Sequence, residues 1–243
     1  IAIRDNHGQL VLVNGNQTAS LLSYYLLSQW SERGKLTGKE YMVKTVVTTE
    51  LIAEMANYYK VPYWDVLTGF KFIADIIRRN EDSMTFIGGG EESYGFMIGD
   101  FVRDKDAVSS CAMLAEIAAW AKSRGLTMFD LLMEMYQKFS IYQESLINVV
   151  RKGKSGAEEI QQMMVEFRKN PPKSLIGSPV TTIRDYLEQQ STDTITGEKT
   201  PIDLPKSNVL QFLLKDGSKI SVRPSGTEPK IKFYFSVSDK LKR

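Results

Sequence analysis

A three-layer α/β domain with a mixed, largely parallel sheet, followed by a smaller α+β domain with an antiparallel sheet, is the fold class this sequence predicts. Between Tyr41 and Ile87, short β-prone runs alternate with amphipathic helical segments, the pattern of a parallel sheet with crossover helices. The pair Pro171-Pro172 then interrupts the chain. Beyond it, short runs separated by turn residues replace the helices, as antiparallel strands require.

In order along the chain, Ile1–Ile3 and Leu10–Val13 are β-prone runs joined by Asp5-Asn6-His7-Gly8, a hairpin turn signal. Asn16 or Thr18 is placed to cap the next helix, which carries Leu21, Leu22, Tyr25, Leu26 and Trp30 in helical spacing. Gly34 and Gly38 mark a polar link. Tyr41–Val47, Val61–Leu67 and Met84–Ile87 read as strands, with helices at Glu50–Tyr59 and Phe70–Arg79 between them. Helices follow near Ala107–Ser123 and Thr127–Lys138, then a strand around Tyr142–Val149 and a charged helix near Ala157–Arg168. Asn170-Pro171-Pro172-Lys173 reads as a linker, because proline cannot continue a helix and restricts the residue before it. Val209–Leu214, Ile220–Val222 and Lys230–Val237 complete the pattern as antiparallel strands, with Asp216-Gly217 as a hairpin turn.

Composition narrows the function. The 243 residues leave room for two domains. A net charge of +2 with no Lys/Arg-rich block argues against a nucleic-acid surface. A single cysteine, Cys111, rules out an intrachain disulfide and points to the cytosol. With only one histidine, His7, there is no zinc-ligand cluster, and no stretch approaches the roughly 18 apolar residues of a membrane helix. Ile1–Arg4 reads like the middle of a strand and Lys240–Arg243 follows directly on another, so the chain is expected to be a piece of a longer protein. Cys111, among Ala112, Leu114 and Ala115, is expected to be a buried packing residue, and Met113, Met128, Met133 and Met135 to be core filling. His7 is expected to be solvated.

Four short segments could carry chemistry. Arg223-Pro224-Ser225-Gly226-Thr227-Glu228-Pro229-Lys230 combines cations, hydroxyls and a glycine. Arginine presents a planar donor fork that matches two phosphate oxygens, and successive amides in such a turn form a nest for anions. A tight connection between two strands is the alternative for this segment. Gly88-Gly89-Gly90-Glu91-Glu92-Ser93-Tyr94-Gly95 follows a strand, where open α/β sheets bind ligands. There Glu91 and Ser93 supply a carboxylate and a hydroxyl suited to vicinal sugar hydroxyls, or the segment is a solvated glycine turn. In Arg103-Asp104-Lys105-Asp106, a solvated charge run, Asp106 is placed to cap the following helix, or Lys105 faces a site as proton donor or cation. Thr68-Gly69-Phe70-Lys71 opens a helix whose N-terminus favours anions.

Taken together, and in the chain order TGFK, GEESYG, RDKD and RPSGTEPK, these segments resemble the C-terminal half of the α-D-phosphohexomutase family, the phosphoglucomutases and phosphomannomutases. The resemblance covers nearly the whole chain and implies four domains around one cleft. Residues 1–38 are then the tail of the second domain, 39–173 the third and 174–243 the fourth. The resemblance also implies that Glu91 and Ser93 hold sugar hydroxyls. Arg223, Ser225, Gly226, Thr227 and Lys230 would hold the phosphate that is not transferred. Gly69, Phe70 and Lys71 belong to a loop that helps set which sugar is accepted. Lys105, beside Arg103, matches a lysine near the reacting groups and would serve there as acid or base. The implied reaction is that of an intramolecular phosphotransferase working through a phosphoserine and a hexose 1,6-bisphosphate, with Mg²⁺. The serine and the magnesium ligands are expected upstream of this chain, so the isolated chain is expected to be inactive and its partners to be the N-terminal domains and the sugar phosphate. A phosphoglucomutase or phosphomannomutase leads; a phosphopentomutase of the same family and a non-catalytic phosphosugar-binding module are the alternatives.

Overall fold

In the computed structural model, residues 1–151, 153–226 and 228–240 are described, and they form two compact units, Ile1–Tyr142 together with Asp239 and Lys240, and Gln143–Ser238. The first opens with a hairpin of β1 (Ala2–Arg4) and β2 (Leu10–Leu12). Its turn is fixed by the Asp5 carboxylate, which accepts from His7 N–H at 2.9 Å and Gln9 N–H at 2.8 Å. Helix α1 (Gly15–Glu32) follows. Its cap is Asn14, not Asn16 or Thr18: Asn14 Oδ1 accepts from Gln17 N–H at 2.9 Å and Gln17 Oε1 accepts from Asn14 N–H at 3.0 Å. This reciprocal box satisfies two amide donors at once.

The sheet of this unit has the order β4-β3-β5-β6, from β3 (Glu40–Thr45), β4 (Tyr63–Val66), β5 (Thr85–Gly90) and β6 (Phe96–Ile98). β3 runs parallel to β4 and β5, and β6 closes the edge antiparallel to β5. Helices α2 (Leu51–Tyr58) and α3 (Phe70–Asn80) make the crossovers. Alternate residues of each strand enter different cores, as the two-residue period of a strand dictates. Met42, Ile87 and Phe96 pack with α1, α2 and two later helices, α4 (Ala107–Ser123) and α5 (Met128–Lys138). Tyr41, Val43, Phe86 and Met97 pack with Phe70, Ile73 and Ile77 of α3. The sheet is therefore covered on both faces, which is why β3 is buried at every position. On α4 the buried stripe is Ser110, Leu114, Ile117 and Ala121. Cys111 lies one helical step off that stripe and is exposed, contrary to the expectation that it is buried.

The second unit carries β7 (Ile141–Val150), α6 (Gly153–Lys169), β8 (Ser174–Leu175), β9 (Ser178–Asp185), β10 (Gln190–Asp193), β11 (Lys199–Pro201), β12 (Leu210–Leu214), β13 (Lys219–Pro224) and β14 (Lys230–Asp239). Its sheet has the order β11-β10-β9-β12-β13-β14-β7, with β8 paired to β9. Ile160 and Met164 of α6 share a core with Val180, Leu210, Phe212, Ile220, Val222 and Ile231. Arg168 fastens the end of the helix: its Nε and one terminal nitrogen reach the Asp185 carboxylate at 2.8 and 3.2 Å, and it donates to Asn208 at 2.8 Å. β7 and α6 thus belong with the antiparallel sheet although they precede Pro171-Pro172.

Candidate functional site

The three glycines after Ile87 are strand, not loop. β5 continues through Gly88, Gly89 and Gly90, which pair with Met42, Val43 and Lys44 of β3 and with β6 on the other side. A Cβ on Gly89 would lie 2.0 Å from the Val43 carbonyl oxygen, so only glycine fits there. The turn proper is Glu91–Gly95, closed by Glu91 N–H donating to the Gly95 carbonyl at 2.8 Å.

Glu91 is buried within this turn, 9% exposed, and its Oε1 accepts a hydrogen bond from Gly69 N–H at 2.5 Å. Gly69 stands at the N-terminus of α3 with φ 128°, a value that favours glycine. Phe70 is buried beside it, and a Cβ on Gly95 would come within 2.5 Å of the Phe70 ring. Lys105 Nζ lies 5.5 Å from the centre of the same ring and donates to Asp104 at 3.2 Å. Gly69, Phe70, Glu91, Gly95 and Lys105 therefore converge, although they come from three separate loops. Ser93 is exposed on the same turn. Lys71 is exposed with Nζ over the Phe72 ring, and Arg103 is paired with Glu81 at 2.5 Å. Asp106 caps α4, accepting from Val108 N–H at 3.0 Å and Ser109 N–H at 3.1 Å.

Sequence reasoning passed over Lys44. It is fully buried on β3, in register with Gly90, and its ammonium meets Asp65 at 2.6 Å and Glu50 at 3.0 Å. Burial acts to lower its pKa, but Asp65 and then Glu50 outweigh it and hold the ammonium above the ordinary lysine value. The signal was a lysine inside the apolar run Tyr41–Val47, where an unpaired charge would be costly.

In the second unit, Arg223 is on β13 opposite Lys232 of β14. The connection is tight: Ser225 N–H donates to the Lys230 carbonyl at 2.8 Å, Lys230 N–H to the Glu228 carbonyl at 2.7 Å, and Glu228 N–H to Ser225 Oγ at 3.3 Å. Arg151 N–H donates to the Pro229 carbonyl at 2.9 Å. The Lys230 ammonium pairs with the Glu228 carboxylate and holds it below the usual carboxylate range. Ser225, Gly226 and Glu228 line a concavity of about 410 Å³ whose other wall is Ala157, Ile160 and Gln161 of α6. Thr227 lies outside the described residues.

Among the described residues no group of three or more His, Cys, Asp or Glu could hold a metal ion. Nor is any described helix long and apolar enough to cross a membrane.

The first unit thus carries a carboxylate-bearing turn at the end of β5, and the second a tight turn with basic residues on an antiparallel sheet. The model of phosphoglucomutase/phosphomannomutase α/β/α domain III matches residues 14–139, and that of the C-terminal domain IV matches 146–242. The chain belongs to the phosphoglucomutase/phosphomannomutase family. The first match takes in α1 and the second takes in α6. The chain is 41% identical over 238 residues to a phosphoglucomutase of Staphylococcus aureus strain MRSA252, covering 98% of this chain and 42% of the relative. A second, from the bovine strain RF122 / ET3-1, is 40% identical over the same length. The chain thus spans less than half the length of these relatives. In fold it is similar to parafusin, the phosphoglucomutase of Paramecium in open form, with TM-score 0.64 and 16% identity over 97% of this chain and 38% of that one. A phosphoglucomutase/phosphomannomutase family protein from Burkholderia thailandensis gives TM-score 0.55 at 15% identity, over 98% of this chain and 40% of that one.

Proposed function

We propose that this chain is the substrate-holding part of a phosphoglucomutase that interconverts hexose 1-phosphate and hexose 6-phosphate through a phosphoserine and a hexose 1,6-bisphosphate. The observation that carries the reading is the bond from Gly69 N–H to the Glu91 carboxylate, which joins two loops assigned to sugar recognition. With one carboxylate oxygen held in this way, Glu91 is a fixed acceptor for sugar hydroxyls, and Ser93 on the same turn adds a hydroxyl. Phe70 and Lys71 shape the side from which the sugar enters, with Arg103 at the rim. Lys105 supplies positive charge near the reacting groups.

In the second unit, Arg223, Ser225, Gly226, Thr227 and Lys230 hold the phosphate that is not transferred. Phosphoryl transfer depends on positioning and charge neutralisation, which these groups offer without taking part in bond making. A bisphosphate that must react from either end needs one sugar grip and one phosphate grip that accept both orientations. The reacting serine and the Mg²⁺ ligands are assigned to domains that precede these two in the longer protein, in the cytosol.

The test is a coupled assay of glucose 6-phosphate formation from glucose 1-phosphate, with mannose 1-phosphate and ribose 1-phosphate as rival substrates. The longer protein is expected to turn over glucose 1-phosphate fastest, and the 243-residue chain alone to turn over none. A preference for the pentose would make it a phosphopentomutase. No turnover of any sugar phosphate by the longer protein would overturn the mutase reading and leave the phosphosugar-binding module.

A further inference from the structure

We infer that Gly15, the first residue of α1, is a positioning residue for the Glu91–Gly95 turn, an inference that takes its functional meaning from the reading of that turn as the sugar grip. A Cβ on Gly15 would lie 1.8 Å from the Glu92 carbonyl oxygen, 2.7 Å from the carbonyl carbon and 2.9 Å from the Tyr94 nitrogen. All three are backbone atoms, so no rotamer change relieves the overlap, and either the helix or the turn has to move.

The helix is the stiffer of the two. Its first turn is locked by the Asn14–Gln17 capping box, and Asn16 Oδ1 accepts from Thr49 N–H at 2.9 Å. Behind that turn, Leu21, Leu22 and Leu27 are core residues. The Glu91–Gly95 turn is exposed at Ser93 and Tyr94, and Tyr94 already sits at φ 69°, in the left-handed region. It is the segment that yields. On its far side Gly95 lies against Phe70, and at its start Glu91 holds Gly69 N–H. The helix thus sets the turn, the turn sets the carboxylate, and the carboxylate sets the Gly69–Phe70 loop.

Amide hydrogen exchange by NMR on the 243-residue chain reads this directly. Two amides report on the turn: Glu91, bonded to the Gly95 carbonyl, and Gly69, bonded to the Glu91 carboxylate. Gly15→Ala is expected to speed exchange at both by about tenfold or more. Gly34→Ala is the control for general destabilisation, since Gly34 follows the other end of α1 at φ 64° with open space around it. It is expected to leave both amides at wild-type rates. Wild-type rates at both amides in Gly15→Ala, or equal acceleration in Gly34→Ala, overturns the inference.

Should Gly15→Ala fail to fold, Asn14→Ala unfastens the same helical turn and Asn14→Asp keeps the cap. Acceleration in the first with recovery in the second supports the inference, and wild-type rates in Asn14→Ala overturn it. The sugar-grip reading fails separately: Glu91→Gln binding glucose 1,6-bisphosphate as tightly as wild type sinks that reading and leaves the exchange result standing.

Discussion

Glu91 and Gly69, 22 positions apart, are joined by a 2.5 Å hydrogen bond from the glycine amide to the glutamate carboxylate. The bond ties the turn after β5 to the start of α3. A change at either residue is therefore felt at the other.

Glu91→Gln keeps an acceptor for Gly69 but removes the charge. Affinity for glucose 1,6-bisphosphate is expected to fall by about 1.5–3 kcal/mol, the scale of a hydrogen bond to a charged group. Inorganic phosphate, which needs no sugar grip, is expected to bind as before. Titration calorimetry with both ligands checks the difference, and equal losses for the two contradict the division of roles.

Arg223→Ala removes the donor fork from the phosphate turn. Binding of both glucose 1,6-bisphosphate and inorganic phosphate is expected to weaken by about 1.5–3 kcal/mol. The same calorimetry checks it, and unchanged affinity for either ligand removes Arg223 from the phosphate site.

Lys44→Met leaves the Asp65 and Glu50 carboxylates beside a buried position without their cation. Urea unfolding is expected to show a loss of about 1–3 kcal/mol, since both carboxylates stay partly open to solvent. Because the folded pKa of Lys44 is raised, its contribution is complete below the unfolded value of about 10.4 and is lost as pH rises through the folded one. Wild type is thus expected to lose stability on the alkaline side that Lys44→Met has already lost, and parallel pH curves would contradict this.

Asp106 has the opposite sign. Its hydrogen bonds from the Ser109 hydroxyl and from the Ser109 and Val108 amides hold its carboxyl below the usual range. Its contribution is present above the unfolded pKa of about 3.9 and is lost as pH falls through the folded value. Protection of the first α4 amides, taken relative to their intrinsic exchange rates, is expected to fall on acidification below about pH 4, and less so in Asp106→Asn, which caps without titrating. Identical acid profiles would contradict the assignment.

Much of this was legible in the sequence, because long apolar periodicities survive without tertiary context. The helices at Phe70–Asn80 and Ala107–Ser123 and the strands β12 to β14 fall where their patterns place them. β8 to β11 were not anticipated. Gln190-Ser191-Thr192-Asp193 carries no apolar residue and is a strand only because β9 and β11 pair with it on either side. β6 was missed for another reason: Gly88–Gly90 reads as a loop until the neighbouring Val43 carbonyl shows why a Cβ is excluded. At the site, the motif residues were visible one by one. The bond between Glu91 and Gly69 was not, since it needs a fold to bring the two loops together. Lys44 stood out in its apolar run, but its two carboxylates come from other elements and needed the fold to be found.

The most direct test is an amide-shift titration of the chain with glucose 1,6-bisphosphate, with Arg223→Ala alongside. The account predicts shifts at Gly69, at Gly90–Gly95 and at Arg223–Lys230, with those of the last segment lost in the variant. Shifts confined to one loop, or unchanged between wild type and Arg223→Ala, would contradict it.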